Sequence, residues 1–94
     1  MIKRTQFLLH DIPRIAAERT PNRIAVSFRD QELTFAGLQR NIEHVAMVLA
    51  GRGVRHGDRV AVWADTCLEM PSLYYGIASL GAMFVPLNPR YTDD

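Results

Sequence analysis

The sequence predicts an α/β protein in which a β-hairpin precedes a parallel strand–helix–strand unit. Two apolar runs at 60–64 and 82–85 have the length of strands, and a helical pattern at 67–80 lies between them. Strands that are joined through a helix pair in parallel, and the crossover is expected to be right-handed. The alternating segment 24–28, followed by a polar connector at 29–32 and a resumed apolar pattern, predicts the hairpin.

Apolar spacing and capping residues place the first two helices. A short amphipathic helix is expected to begin near Asp11, which would act as its cap, with Pro13 in the first turn. It ends before Pro21, because the residue that precedes a proline avoids the helical conformation. A second helix is expected from Thr34, its predicted N-cap, to about Ala50. Its apolar stripe comprises Leu38, Ile42, Val45, Ala46 and Leu49.

Glycines end the second helix, and an apolar strand follows. Gly51 and Gly53 supply the backbone freedom that a helix C-terminus needs, and Val54 is expected to fold back onto the last turn. The strand that starts at Arg59 is almost uninterrupted in its apolar residues. This pattern predicts a strand that is buried on both faces.

The third helix has its own start and stop signals. Asp65 and Thr66 are candidate caps, and Pro71 lies in the first turn, where a missing N–H costs little. Gly81 closes the helix before the second buried strand. Residues 70–89 are uncharged and as long as a membrane span, but glycines and prolines divide them into helix, turn and strand. We therefore expect no transmembrane segment.

Composition limits the classes of partner. The chain has 94 residues, enough for one small domain, and a formal net charge of +1. This balance gives no reason to expect nucleic acid or an anionic membrane as a partner. A small basic cluster is interpreted as a solvated loop, and it comprises Arg52, Arg55, His56 and Arg59. The lone Cys67 excludes an internal disulfide and favours a reducing compartment, so a cytoplasmic location is expected.

Several apparent catalytic groups have simpler structural interpretations. The glycines within 51–57 have the wrong spacing for a dinucleotide-binding loop and follow a helix instead of a strand. Cys67 lies near a helix N-terminus, but no histidine in that segment could act as its base. Asp65 and Glu69 are spaced to share one helix face as an acid–base pair. Capping by Asp65 and solvent exposure of Glu69 is the favoured interpretation.

The histidines and the aromatic residues are also expected to be structural. The histidines, which lie on different elements and share no metal-binding spacing, are His10, His44 and His56. The aromatic side chains of Trp63, Tyr74 and Tyr75 are expected to fill the core instead of stacking on a ligand. The sequence therefore assigns no catalytic, cofactor-binding or metal-binding residue to this chain.

The order of several short segments resembles the start of an adenylate-forming enzyme. This superfamily comprises AMP-dependent acyl-CoA synthetases, peptide-synthetase adenylation domains and luciferases. The segments that carry the resemblance are TPNRIAV at 20–26, LTFAGL at 33–38, GVRHGDRV at 53–60, SLGA at 79–82 and PLNPR at 86–90. Each is weak alone, but five in this order form a strong signal. Two departures, Gly37 for the usual Glu and Asp65 for the usual Asn, concern helix caps.

The resemblance implies a two-step reaction for the whole enzyme. A carboxylate attacks the α-phosphate of Mg-ATP to give an acyl-adenylate and pyrophosphate, and a thiol, usually that of coenzyme A, then displaces AMP. The residues with which this family binds ATP and Mg²⁺ and activates the small-molecule carboxylate would all lie beyond Asp94. None is therefore assigned here. Residues 1–94 are expected to be the truncated start of the large N-terminal AMP-binding domain. They would be inactive alone and would have the remainder of the parent enzyme as their partner.

The closing segment 86–92 is more similar to acyl-CoA synthetases. Peptide-synthetase domains usually carry Asp at the position of Asn88 and Pro soon after Tyr91. A parent ligase for a fatty or aromatic acid is therefore expected, and Thr92 resembles the cap of a further helix in a larger protein. The alternative, based on Met1 and the complete strand–helix–strand unit, is a stand-alone α/β interaction module or split-enzyme piece without catalysis.

Overall fold

The computed structural model of the protein describes residues 10–63 and 67–87. In chain order the elements are α1 (Asp11–Arg19), β1 (Ile24–Phe28), β2 (Gln31–Thr34), α2 (Phe35–Gly51), β3 (Arg59–Trp63), α3 (Met70–Ser79) and β4 (Met83–Leu87). Strands β1 and β2 pair antiparallel, and β3 and β4 pair parallel across α3. The predicted α/β class, hairpin and parallel unit are confirmed, while the hand of the crossover stays a prediction. The predictions at Asp65, Thr66, Asn88 and Thr92 lie outside the described residues.

The hairpin is tighter than the sequence predicted. Gln31 and Glu32, assigned to the connector, pair instead with Phe28 and Ser27 of β1. Their polar side chains stay exposed, so the strand accommodates them without burying charge. The remaining two-residue turn contains Arg29 at φ 57°, the left-handed conformation that a tight hairpin turn requires.

Helix α1 begins with a different cap from the one predicted. Asp11 is the first helical residue, and His10 occupies the cap position without a side-chain hydrogen bond. Asp11 is 4% exposed, and its carboxylate lies 3.5 Å from the Arg14 guanidinium. A carboxylate in the first turn still interacts favourably with the helix dipole, which explains its place there. Pro13 lies in the first turn as predicted.

Helix α2 starts and ends as the sequence predicted. The Thr34 hydroxyl accepts from the Gly37 N–H at 3.1 Å, which satisfies one of the free amides of the first turn. At the other end Gly53 has φ 97°, and the Val54 N–H donates to the Leu49 carbonyl at 3.0 Å. Gly81, at φ 74°, ends α3 in the same way, as predicted.

Helix α3 begins later than predicted. Its first residue is Met70, with Glu69 in the cap position and without a side-chain hydrogen bond. Cys67 belongs to the preceding turn, since its carbonyl accepts from the Met70 N–H at 3.2 Å. Pro71 lies in the first turn as predicted, where its ring fixes a helical φ. No helix within residues 10–63 and 67–87 is long and apolar enough to cross a membrane.

The core of the described residues lies between α2 and α3. Ile77 is fully buried, and Leu38 and Ile42 are 4% and 3% exposed. Gly76 permits the close approach of the two helices, because a Cβ there would lie 2.7 Å from Val45 Cγ1 and 3.2 Å from the Ile42 carbonyl oxygen. The apolar stripe predicted for α2 therefore faces α3.

The parallel strands are less buried than the sequence predicted. Val60 lies opposite Phe84, and Trp63 lies opposite Leu87. Alternate residues of β3 are exposed, and Trp63 is 57% exposed. The prediction of burial on both faces is therefore wrong within the described residues. An apolar parallel sheet is normally covered by further elements on both sides. Here the described elements leave one face of the pair open.

Candidate functional site

The loop between α2 and β3 carries the basic cluster. Its four side chains are all exposed, which confirms the solvated-loop interpretation; they are Arg52, Arg55, His56 and Arg59. The Asp58 carboxylate accepts from the Arg55 backbone N–H at 2.8 Å, and the Gly57 N–H donates to the Gly81 carbonyl at 2.8 Å. The first bond is internal to the turn, and the second joins this loop to the turn before β4 and holds the start of β3 beside β4. The glycines of this loop end a helix, as predicted, and do not form a phosphate-binding turn between a strand and a helix.

The candidate catalytic and metal-binding side chains do not converge. His10, His44 and His56 lie at the start of α1, within α2 and in the loop before β3. Across the described part of the chain, no group of three His, Cys, Asp or Glu side chains could hold a metal ion. Cys67 is half-buried in the turn before α3, and Glu69 is exposed. The pairing of Glu69 with Asp65 stays untested.

The aromatic side chains that were expected in the core differ in their contacts. Tyr74 makes edge-to-face contacts with Tyr75 and Phe84, with ring centroids 5.3 and 5.5 Å apart. The contact with Phe84 ties α3 to β4, although Tyr74 is itself 39% exposed. The prediction that Trp63 fills the core is wrong within the described residues, because its side chain lies on the open face of β3.

An open apolar groove lies between α2 and β3. This α2–β3 groove has a volume of about 450 Å³. Its lining comprises His44, Val45, Val48, Leu49, Val60, Ala61, Val62, Trp63, Leu73 and Ile77. No Asp, Glu, Lys or Arg side chain is among these lining residues. Such a surface can bind apolar groups, but it offers neither a nucleophile nor an anion site.

The groove was not predicted from the sequence, although the sequence contains a signal for it. The apolar run of β3 predicted coverage of both faces, whereas the chain supplied few elements to cover them. The mismatch between apolar strand surface and available helix surface indicated an open patch beside β3. The exposed Trp63 marks that patch in the structure.

A family model for AMP-binding enzymes matches residues 14–94. The chain is 35% identical over 85 residues to a long-chain-fatty-acid–CoA ligase of Bacillus subtilis, covering 90% of this chain and 15% of the ligase. It is 37% identical over 78 residues to bacitracin synthase 2 of Bacillus licheniformis, covering 83% of this chain and 3% of the synthase. The chain thus spans a small part of the curated relatives that it matches.

The fold agrees with that of a solved structure from the same group. A putative long-chain-fatty-acid CoA ligase from Rhodopseudomonas palustris superposes with a TM-score of 0.86 and 34% identity, covering 94% of this chain and 22% of the ligase. The similar identities to a CoA ligase and to a bacitracin synthase do not separate the two kinds of relative. The family match over 14–94, the shared fold and the ordered segments together show that the chain belongs to the AMP-binding, adenylate-forming enzymes.

Proposed function

We propose that residues 1–94 form the start of the large AMP-binding domain of an AMP-forming acyl-CoA synthetase. The whole enzyme would join a carboxylate to AMP at the expense of ATP, release pyrophosphate, and then transfer the acyl group to coenzyme A. The observation that carries the assignment to an adenylate-forming domain is the TM-score of 0.86 to a putative CoA ligase of which the chain spans 22%.

Within that enzyme, the chain would act as a scaffold instead of supplying catalytic groups. Its described residues do not fit a Mg-ATP site, since they contain no cluster of metal ligands and their basic loop is exposed and dispersed. Phosphoryl and carboxylate activation requires positioned charges in a protected site. We therefore assign binding of ATP, Mg²⁺ and coenzyme A to the rest of the enzyme.

The choice of an acyl-CoA synthetase over a peptide-synthetase adenylation domain is the finer part of the proposal. It is supported by Asn88, where adenylation domains usually carry Asp, and by the absence of Pro in the three residues after Tyr91. A cytoplasmic location also belongs to the proposal and rests on the lone Cys67.

A graft tests the scaffold role. The segment of the Bacillus subtilis ligase that matches 85 residues of this chain is replaced by those residues, and long-chain fatty-acid-dependent ATP–pyrophosphate exchange is measured. We expect exchange within about tenfold of the parent ligase, since a shared scaffold preserves the position of downstream catalytic groups. A chimera that unfolds cooperatively but shows no exchange would contradict the proposed role.

A second graft tests the choice of enzyme class. The matching 78 residues of bacitracin synthase 2 are replaced in the same way, and exchange is measured with its own amino-acid substrates. The proposal expects a larger loss of exchange in the synthase chimera than in the ligase chimera. The reverse order would favour a peptide-synthetase parent.

The second candidate function is a stand-alone α/β interaction module without catalysis. It is favoured by the strand–helix–strand unit and the helical core that form within the described residues. This candidate predicts a cooperatively folded monomer and inactive chimeras of both kinds.

The isolated chain is expected to show no ATP–pyrophosphate exchange with any of a panel of carboxylates, and exchange above background would overturn the assignment of a scaffold role.

A further inference from the structure

One side of α1 is apolar and open. Its residues are spaced by three, one and three positions, which places them on the same side of a helix. This α1 face comprises Ile12, Ile15, Ala16 and Arg19. Together with Thr20, these residues line an open groove with a volume of about 380 Å³. Ile12 is 54% exposed, whereas its neighbour Pro13 is buried, so the α1 face lies apart from the covered side of the helix.

The α1 face also carries positive charge that nearby carboxylates do not compensate. Arg14, on another side of α1, lies 3.2 Å from the Glu18 carboxylate. Arg19 and Arg23 are exposed, and neither forms an ion pair within residues 10–63 and 67–87. The Arg23 N–H donates to the Thr20 carbonyl at 3.2 Å, so Arg23 follows directly after the groove. Apolar surface and free guanidinium groups therefore occur together at this end of α1.

Positive charge is concentrated in the first part of the sequence. Residues 1–23 contain five cations and two carboxylates, a formal charge of +3, whereas residues 24–94 contain six cations and eight carboxylates, a charge of −2. The net charge of the whole chain averages over these two parts. For this reason it gave no indication of an anionic partner, although residues 1–23 favour one.

The chemistry of the α1 face differs from that of the α2–β3 groove. The lining of the α2–β3 groove includes no arginine or lysine, whereas Arg19 lines the groove on α1. Apolar side chains flanked by basic ones are typical of a helix that lies in the interface of an anionic bilayer. The methylene groups of an arginine can lie along apolar surface while its guanidinium contacts a lipid phosphate. The ten residues that lead into α1 contain two further cations and no carboxylate.

The size of the α1 face favours a lipid surface over a protein partner. Helix α1 has nine residues, so it is about 14 Å long. A stable protein–protein interface buries about 800 Å² on each partner, which is more than one side of so short a helix supplies. A bilayer makes no such demand, because each inserted apolar side chain and each contact with a phosphate contributes separately.

We propose that the α1 face is a peripheral docking surface for an anionic lipid bilayer. Ile12 and Ile15 enter the boundary between headgroups and acyl chains, and Arg19 and Arg23 contact lipid phosphates. The inference goes beyond the proposed function, because neither step of acyl transfer depends on it. With few inserted side chains the binding is reversible, and it weakens as salt screens the charges.

Sedimentation with vesicles tests the proposal on the 94-residue chain. Binding is compared between phosphatidylcholine vesicles and vesicles in which about one-third of the lipid is phosphatidylglycerol. We expect partition to the anionic vesicles to be at least about tenfold stronger at low salt, and to fall as salt is added. Equal binding to both kinds of vesicle, or no binding to either, would overturn the proposal.

Two pairs of variants locate the binding surface. Arg19→Gln should weaken partition about fivefold, the factor expected for one basic side chain at an anionic surface. Arg52→Gln removes the same charge from the exposed α2–β3 loop and should have less effect. Ile12→Ser should likewise weaken partition more than Met47→Ser, although Met47 is 65% exposed. Equal effects within the arginine pair would contradict docking through α1, and this pair decides the matter if Ile12→Ser does not fold.

Further outcomes separate this inference from its alternatives and from the proposed function. A chain that sediments as a dimer, and that becomes monomeric with Ile12→Ser, would show that a second copy occupies the α1 face and would overturn the proposal. Arg19→Gln in the ligase chimera should leave ATP–pyrophosphate exchange in solution unchanged. An active chimera whose grafted chain does not bind anionic vesicles counts against docking alone. An inactive, folded chimera counts against the function, while vesicle binding that depends on Arg19 still supports docking.

Discussion

The interface between α2 and α3 is closely packed, whereas the parallel strand pair leaves apolar side chains exposed. Between α2 and α3, Ile77 is fully buried and Gly76 brings the backbones into close contact. Beside them, β3 and β4 leave Trp63 57% exposed and Met83 54% exposed. The helices therefore complete their packing with residues of this chain, whereas the sheet presents apolar surface that further elements would cover.

This difference separates the packing that stabilises the described residues from the surface that would contact the rest of the proposed enzyme. Close packing at the helix pair stabilises local structure through buried area and dispersion. The open strand contributes less to the stability of the isolated chain because its side chains keep much of their solvent contact. Substitutions at the helix interface and at the open sheet should therefore have unequal effects.

The largest effect is expected at the centre of the helix interface. Ile77→Ala removes a fully buried side chain and should lower the free energy of unfolding by about 2–5 kcal/mol. A small domain has about 5–15 kcal/mol in total, so this loss would populate the unfolded state. Urea unfolding followed by circular dichroism measures the change.

The matched control is the same substitution at an exposed site. Ile12 is 54% exposed, and Ile12→Ala should cost less than about 1 kcal/mol. Equal losses at positions 77 and 12 would show that the helix interface is not the stable part of the chain.

The next effect concerns the close approach of the two helices. Gly76→Ala would place a Cβ 2.7 Å from Val45 Cγ1 and should cost about 1–3 kcal/mol, because backbone and side chains must shift. Gly51→Ala is the control, since a Cβ there meets nothing within 4 Å and alanine favours the helix. Urea unfolding should show destabilisation at 76 and none at 51. If Val45→Ala fails to restore stability to Gly76→Ala, the steric explanation is wrong.

A smaller effect is expected at the start of α2. Thr34→Ala removes the hydroxyl that accepts from the Gly37 N–H and should cost about 1 kcal/mol. Thr34→Ser retains the acceptor and should cost only a few tenths of that amount. Thermal unfolding of the two variants measures the difference, and indistinguishable midpoints would argue that this cap does not contribute.

Local signals in the sequence predicted most elements and their ends. Thr34, Gly53 and Gly81 determine helix boundaries through interactions within a few residues, so their roles could be predicted without knowledge of the fold. The start of α3 was missed because Asp65 and Thr66 have the side chains of caps, whereas the helix begins at Met70. Competing caps a few residues apart differ too little in free energy for sequence alone to choose between them.

Tertiary coverage was harder to predict than local structure. The apolar run of β3 is typical of a strand that is covered on both faces, and Trp63 was accordingly assigned to a core. The described residues contain only two parallel strands, so that surface is open and forms the groove beside α2. The residue pattern of a strand indicates whether the strand is suited to a buried position. It does not indicate which residues of the protein bury it.

The smallest effect in the isolated chain should occur at the open sheet, and it should grow when the domain is completed. Trp63→Ala in the isolated chain should cost less than about 1 kcal/mol, because the side chain is 57% exposed. In the ligase chimera, further elements of the domain would cover the open face of β3 and bury the same side chain, and the loss should rise toward the roughly 3–5 kcal/mol typical of buried tryptophan. Urea unfolding of both proteins, each compared with its own parent, measures the difference. Tyr74→Ala, at the contact of α3 with β4, serves as the control because its ring contacts are made within this chain in both contexts. A Trp63→Ala loss that is equal in the two proteins would show that β3 remains open in the enzyme.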